Sequence, residues 1–268
     1  MILAVDIGNS NIVLGGMDGL KIVFEARIRT DATKTSDEYC VDIKNLLDIY
    51  GVQRDSLEGA IVASVVPQVL NSIKTAIRKL TGKRCLVVGP GLKTGLNIKV
   101  ENPAQTGADL VVGAVAALRE HKPPVIIIDM GTATTMFVLD KTGAFVGGCI
   151  SPGVKISMDA LTDRTALLPG LQLDQPQHAI GRNTTECMRS GLMLGAACMI
   201  DGMVQRMEEE LGQRATVVAT GGIAKFILPM CRTNIRYDRD LLLKGLAILY
   251  AENAKKGLIP TPWLSEAP

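Results

Sequence analysis

Two short stretches of this 268-residue chain carry the same run of residue types. Asp6-Ile7-Gly8-Asn9-Ser10-Asn11 and Asp129-Met130-Gly131-Thr132-Ala133-Thr134 each read as the end of an apolar strand, an Asp-x-Gly turn and a few small amide or hydroxyl side chains. Glycine lets the backbone approach a ligand closely, and a tight turn gathers main-chain N–H groups and polar side chains at one point. Such a concavity suits the phosphates of a nucleotide. Asp6 and Asp129 need a different explanation, because a carboxylate repels phosphate unless a cation, held directly or through water, lies between them. One copy of this pattern reads as an ordinary turn. Its recurrence 123 residues further on, inside matching strands, favours two loops that clamp one polyphosphate between two domains.

The elements that must position these turns follow from the hydrophobic pattern. Apolar runs at Ile2 to Ile7, Asn11 to Gly16 and Ile22 to Arg29 precede any helix, which predicts an antiparallel meander at the edge of a mixed sheet. A helix over Tyr39 to Tyr50 follows, then a strand from Gly59 to Val65, a helix from Pro67 to about Leu80 and a strand at Cys85 to Val88. Another helix runs from about Asp109 to Arg119. The pattern restarts at Val125, beyond Pro123-Pro124, which forbids a continuing helix. Long helical patterns cover Thr185 to Leu211 and Asp240 to Ala254, and between them the strand Thr216 to Ala219 ends in Thr220-Gly221-Gly222. The alternation specifies an α/β fold with two domains of like topology, residues 1–121 and 122–268.

These residues carry a resemblance. The two Asp-x-Gly turns and Thr220-Gly221-Gly222 resemble the two phosphate motifs and the adenosine motif of the sugar kinase, heat-shock chaperone and actin superfamily. Over nearly its whole length the chain is similar to type III pantothenate kinase, also called the Bvg accessory factor family. Val87-Val88-Gly89-Pro90-Gly91-Leu92-Lys93-Thr94-Gly95-Leu96-Asn97-Ile98, Asn102-Pro103, Gly107-Ala108-Asp109, Pro152-Gly153, Gly181-Arg182-Asn183-Thr184 and Lys244-Gly245-Leu246 fall in the family's order. The resemblance implies two ribonuclease H-like (actin-like ATPase) domains, each a mixed sheet with three leading antiparallel strands and flanking helices. It also implies ATP-dependent phosphorylation of pantothenate to 4'-phosphopantothenate, the first step towards coenzyme A, by a cytoplasmic homodimer.

Residue by residue, the resemblance makes Asp109 the base that takes the hydroxyl proton, a step that phosphoryl transfer requires. It makes Asp6, Ile7, Gly8, Asn9, Ser10, Asn11, Ile12 and Val13 the first phosphate loop, with Thr132, Gly221 and Gly222 as further ATP contacts. Asp129 becomes the ligand of a monovalent cation, potassium or ammonium, and Asp6 a water-mediated neighbour of magnesium. Val100, Gly107, Ala108, Asp109, Leu110 and Thr184 are the matched pantothenate contacts, Thr184 at or near a subunit boundary. Read from the residues alone, Asp109 is equally a helix-dipole partner and Thr184 a helix N-cap. Two positions depart from the family's pattern. Val100 stands where an aromatic is usual and Leu110 where arginine is usual, and leucine supplies none of an arginine's five donors. A kinase for a different small hydroxylated acceptor, or a non-catalytic nucleotide-binding regulator, are the competing readings.

Composition narrows the remaining classes. Lys plus Arg number 29 and Asp plus Glu 27, a net charge of +2 without a basic block, which gives no footprint for nucleic acid or an anionic membrane. The apolar start is broken at once by Asp6 and reads as neither signal peptide nor membrane span. Six scattered cysteines, in no Cys-x-x-Cys pair, read as reduced core thiols, and two histidines are too few for a histidine-rich metal site or a Ser-His-Asp triad. Gly89 to Gly95 lacks the Gly-Lys-Ser/Thr ending of a P-loop. Met188, Met193, Met199, Met203 and Met207 read as core or interface packing, Glu208-Glu209-Glu210 as a solvated helix end, and Pro260 to Pro268 with Trp263 as an irregular extension.

Overall fold

The computed structural model describes residues 1–254; the expected extension at Pro260 to Pro268, with Trp263, lies outside the described residues. The described residues divide into two units, one of residues 1–96, 101–120 and 240–254, the other of residues 97–100 and 121–239. A division into two continuous halves at 121 therefore does not describe them.

In the first unit, β1 (Ile2–Ile7), β2 (Asn11–Asp18) and β3 (Lys21–Arg29) form the expected antiparallel meander. Helix α1 (Ser36–Ile49) leads to β4 (Gly59–Ser64), and α2 (Pro67–Thr81) leads to β5 (Cys85–Val87). The sheet order is β3-β2-β1-β4-β5, with β4 parallel to β1 and β5 parallel to β4. Helix α1 starts at a capping box: Thr35 Oγ1 accepts from the N–H of Glu38 (3.3 Å) and Glu38 Oε2 accepts from that of Thr35 (2.8 Å). Its buried Tyr39, Ile43 and Leu47 join Val69, Ile73 and Ile77 of α2 over Leu3, Val5 and Ile7 of β1. Alternation along β1 therefore turns Asp6 to the other face. Helix α3 (Ala108–Glu120) and α7 (Leu241–Asn253) pack on each other in this unit, and α7 also lies on β1 and β4.

The second unit repeats the plan. β6 (Val125–Met130), β7 (Ala133–Leu139) and β8 (Phe145–Pro152) are antiparallel; α4 (Val154–Arg164), α5 (Thr184–Leu211), β9 (Thr216–Thr220), α6 (Ala224–Ile227) and β10 (Ile235–Tyr237) follow. The order β10-β9-β6-β7-β8 is the first sheet's order with equivalent strands exchanged. Ile126, Ile128 and Met130 pack under Leu192, Met193, Ala197 and Ile200 of α5, so Asp129, like Asp6, is turned to the opposite face. Helix α5 alone among the described residues is long and apolar enough to cross a membrane, yet its packed face is a core stripe under this sheet. Residues 97–100 join this unit through a parallel bridge of Ile98 to Phe145.

Two surface expectations are corrected. The cysteines are all free, and Cys40, Cys85, Cys149 and Cys231 are half-buried against the core as read, but Cys187 and Cys198 are exposed. Glu208 is no solvated end; it is 9% exposed, its carboxylate taken by Arg214 Nη1 (2.6 Å) and the N–H of Ala215 (3.0 Å). The methionines behave as read, Met188 and Met193 buried and Met199, Met203 and Met207 packed against the core.

Candidate active site

The first turn is built at the end of β1. Ile7 and Ile12 are fully buried in the core, so they anchor the turn and can offer a ligand only main-chain atoms. Between them the N–H of Gly8 donates to the carbonyl of Asn11 (3.0 Å), and Asn9, Ser10 and Asn11 are exposed. Thr30, just beyond β3, holds the turn from the side: its Oγ1 donates to the carbonyl of Gly8 (2.7 Å) and its N–H to that of Ser10 (3.1 Å). Asp6 sits on the strand before the turn, in register with Val13 and with Ala63 of β4.

The second turn is one residue shorter. The N–H of Gly131 donates to the carbonyl of Ala133 (3.0 Å), leaving only Gly131 and Thr132 between the strands, both exposed. Here the support is backbone: the N–H of Gly153 donates to the carbonyl of Thr132 (3.2 Å). A Cβ on Gly153 would meet the carbonyl oxygens of Thr132 and of Gly131. Gly153 is also the N-cap of α4, with no side-chain cap of its own. Asp129 pairs with Thr135 on β7 and Thr220 on β9. At the end of β9, Gly221 has φ +97°, and a Cβ there would lie 2.5 Å from the carbonyl oxygen of Met130, so both its conformation and its packing require glycine. Gly222 follows at the foot of α6, and the Tyr237 hydroxyl donates to the carbonyl of Gly221 (3.3 Å). The structure thus brings Asp129, Thr132 and Gly221 to one end of the second sheet, where β6 and β9 finish.

Asp109 lies in the first turn of α3, half-buried, with Oδ1 accepting from the N–H of Leu110 (2.8 Å). Burial pushes its carboxyl above the usual carboxylate range, and the N–H groups of Leu110 and of Asp109 itself pull partly back. Oδ1 folds over Gly107, where a Cβ would collide with it. A carboxylate made more basic than an exposed aspartate is suited, in its ionised form, to accept a proton. Ala108 and Leu110, also half-buried, flank it.

Val100 belongs to the 97–100 segment of the second unit, half-buried. Thr184 is exposed at the first position of α5, but it is not the cap: Asn183 Oδ1 accepts from the N–H of Glu186 (2.9 Å). That correction leaves the Thr184 side chain available for another contact. Among the described residues no three His, Cys, Asp or Glu side chains gather as a metal cluster, so a cation here would rest on one carboxylate with hydroxyl, main-chain or phosphate oxygens. Thr30 and Gly153, the two supports of the turns, escape sequence reasoning as supports; only Pro152-Gly153 carries a signal, as a motif in order.

The comparisons with known proteins agree with this architecture. A family model for type III pantothenate kinase matches residues 2–206. A type III pantothenate kinase of Exiguobacterium sp. is 46% identical over 255 residues, covering 95% of this chain and all of that one. One of Bacillus cytotoxicus is 43% identical, covering 95% and 97%. Among solved structures, a Baf family protein of Campylobacter jejuni superimposes with a TM-score of 0.63 at 16% identity, covering 95% of this chain and 100% of that one. MreB 5 of Spiroplasma citri, bound to AMPPNP, gives 0.57 at 11% identity, covering 95% and 97%. These structural likenesses show the fold, two actin-like halves. The length and level of the sequence matches settle the rest: the chain belongs to the type III pantothenate kinase family.

Proposed function

We propose that this chain transfers the γ-phosphoryl group of ATP to the primary hydroxyl of pantothenate, releasing ADP and 4'-phosphopantothenate. The observation that carries the reading, beside family membership, is Asp109: a half-buried carboxylate of raised basicity held in place by Gly107 and the N–H of Leu110. As the acceptor oxygen bonds to the γ-phosphorus and the bond to the ADP oxygen breaks, Asp109 takes the hydroxyl proton. The turns at residues 8–11 and 131–132 present main-chain N–H groups and the side chains of Asn9, Ser10, Asn11 and Thr132 to the phosphates. Gly221 and Gly222 let the adenosine approach the end of β9. Asp129 would hold potassium or ammonium and Asp6 would meet magnesium through water; these cations, when bound, offset the phosphate charge. Asp6 lies on the sheet face opposite α1 and α2, and Asp129 on the face opposite α5, each beside its turn, which fits that use.

Val100, Gly107, Ala108, Leu110 and Thr184 form the acceptor contacts of this reading. Support for a homodimer comes from the second unit, which exposes Ile150, Leu167 and Ile180 and, along α5, the small residues Gly191, Gly195, Cys198 and Gly202 at helical spacing. The enzyme is assigned to the cytoplasm, without nucleic-acid or membrane partners. A second reading, a kinase for another hydroxylated acceptor, is favoured by Leu110, which places an apolar side chain beside the base.

The test is ADP release with Mg-ATP and potassium, with and without pantothenate, and mass spectrometry of the product. Pantothenate-dependent turnover with a phosphopantothenate mass is expected. ATP binding without such turnover would overturn the reading in favour of the second.

A further inference from the structure

The hydroxyl of Thr135 is buried and has no hydrogen-bond partner. Buried hydroxyls nearly always have one, so this oxygen calls for a physical reason. Its neighbours supply it. Thr135 pairs directly with Asp129 across β6 and β7, and Asp129 pairs with Thr220 across β6 and β9. Directly paired residues share a face, with Cβ atoms about 4.5–5.5 Å apart. Thr220, Asp129 and Thr135 therefore form one row across three strands, on the face turned away from α5. The carboxylate between the two hydroxyls lies towards the Gly131 turn: Asp129 Oδ1 is 3.9 Å from where a Gly131 Cβ would stand.

A carboxylate and a hydroxyl at fixed strand spacing are hard oxygen donors of the kind alkali cations take. Thr135 is β-branched and sits in the middle strand of its antiparallel meander, so its oxygen has little freedom to follow a smaller ion. We propose that Thr135 Oγ1 is a second oxygen ligand of the monovalent cation held by Asp129, and that its fixed separation from that carboxylate selects potassium or ammonium over sodium. This rests on the reading of Asp129 as the cation-bearing carboxylate. It gives the orphaned hydroxyl its partner.

The test reads binding without turnover. The melting temperature of the full chain with Mg-ADP and no pantothenate is followed while KCl or NaCl is added. Potassium stabilises the wild type at lower concentration than sodium. In Thr135→Val the potassium needed for half of the full shift rises about 10-fold and the preference over sodium shrinks, while Thr135→Ser keeps both. If Thr135→Val does not fold, Thr135→Ala is read in the same way. Loss of the potassium response in Asp129→Asn together with a wild-type response in Thr135→Val overturns the role of Thr135 alone. A wild-type response in Asp129→Asn, or no potassium response in the wild type, overturns the cation site and this proposal with it.

Discussion

The two sheets share one strand order and one meander, yet they hold their glycine turns by different means. In the first unit the Gly8 turn has three residues between strands and is clasped by Thr30 through a hydroxyl and an N–H. In the second unit the Gly131 turn has two and is braced by the backbone of Gly153, at the start of α4. The difference arises where the third strand ends. β3 runs into a connection that leaves room for a side-chain clasp before α1, whereas β8 runs straight into α4. A common topology thus fixes where a turn stands but leaves open what stiffens it: a removable hydroxyl in one case, an approach too close for any side chain in the other. The units also differ in chemistry, since Asp109 belongs to the first alone.

The largest expected effect breaks that last asymmetry. Asp109→Asn removes the proposed proton acceptor and should lower turnover by about 10²–10⁴-fold, with ADP affinity nearly unchanged because both turns are intact. Wild-type turnover would remove Asp109 from the base role. The raised carboxyl pKa adds two pH predictions. Activity should fall with acid as Asp109 takes up its proton, with a limb above that of an ordinary aspartate. For stability the sign is opposite: the folded state holds this proton to higher pH than the unfolded state, so stability falls as pH rises through that window. Asp109→Asn should therefore melt at a higher temperature than wild type at neutral pH and lose that advantage in acid.

Most of this scaffold could be read from pattern. β1 is expected at Ile2 to Ile7 and lies there, because an apolar run interrupted only by Asp6 and stopped by a glycine turn has few alternatives; α1 and α2 announce themselves by Ser36-Asp37-Glu38 and Pro67. Other features depend on partners distant in sequence. Helix α7 returns to the first unit because it and α3, each following the last strand of its sheet, pack together, and no local signal marks that exchange. The departure of residues 97–100 to the second unit rests on a bridge to Phe145 and the Lys99–Asp140 ion pair. Glu208 looked solvated within an acidic run until Arg214 and Ala215, one turn past the helix end, closed on it. At the site, the types and spacing of Asp6, Asp129 and Asp109 were legible. The supports at Thr30 and Gly153 were not, since each acts through a main-chain atom whose position only the tertiary fold sets.

Gly153→Ala tests the backbone-braced turn. The added methyl would press on the carbonyl oxygens of Gly131 and Thr132, neither of which can move without opening the turn. A cost of about 1–3 kcal/mol is expected, seen as a lower melting temperature and a raised KM for ATP with little change in KM for pantothenate. An unchanged KM for ATP would separate Gly153 from the phosphate loop.

Thr30→Val should have the smallest effect and sharpens the comparison most. Valine keeps the shape and the N–H bond to Ser10 but loses the 2.7 Å bond from Oγ1 to the carbonyl of Gly8. That carbonyl lies beside exposed residues, so water can take the vacated position and the loss is held to about 0.5–1.5 kcal/mol. KM for ATP should rise by about twofold to thirteenfold, the kinetic equivalent of that range, with the acid limb set by Asp109 unmoved. If Thr30→Val instead cost as much as Gly153→Ala, the two turns would be equally intolerant and the contrast between a hydroxyl clasp and a backbone brace would fall. A smaller loss than Gly153→Ala, confined to ATP, is what a side-chain clasp on an otherwise intact turn requires.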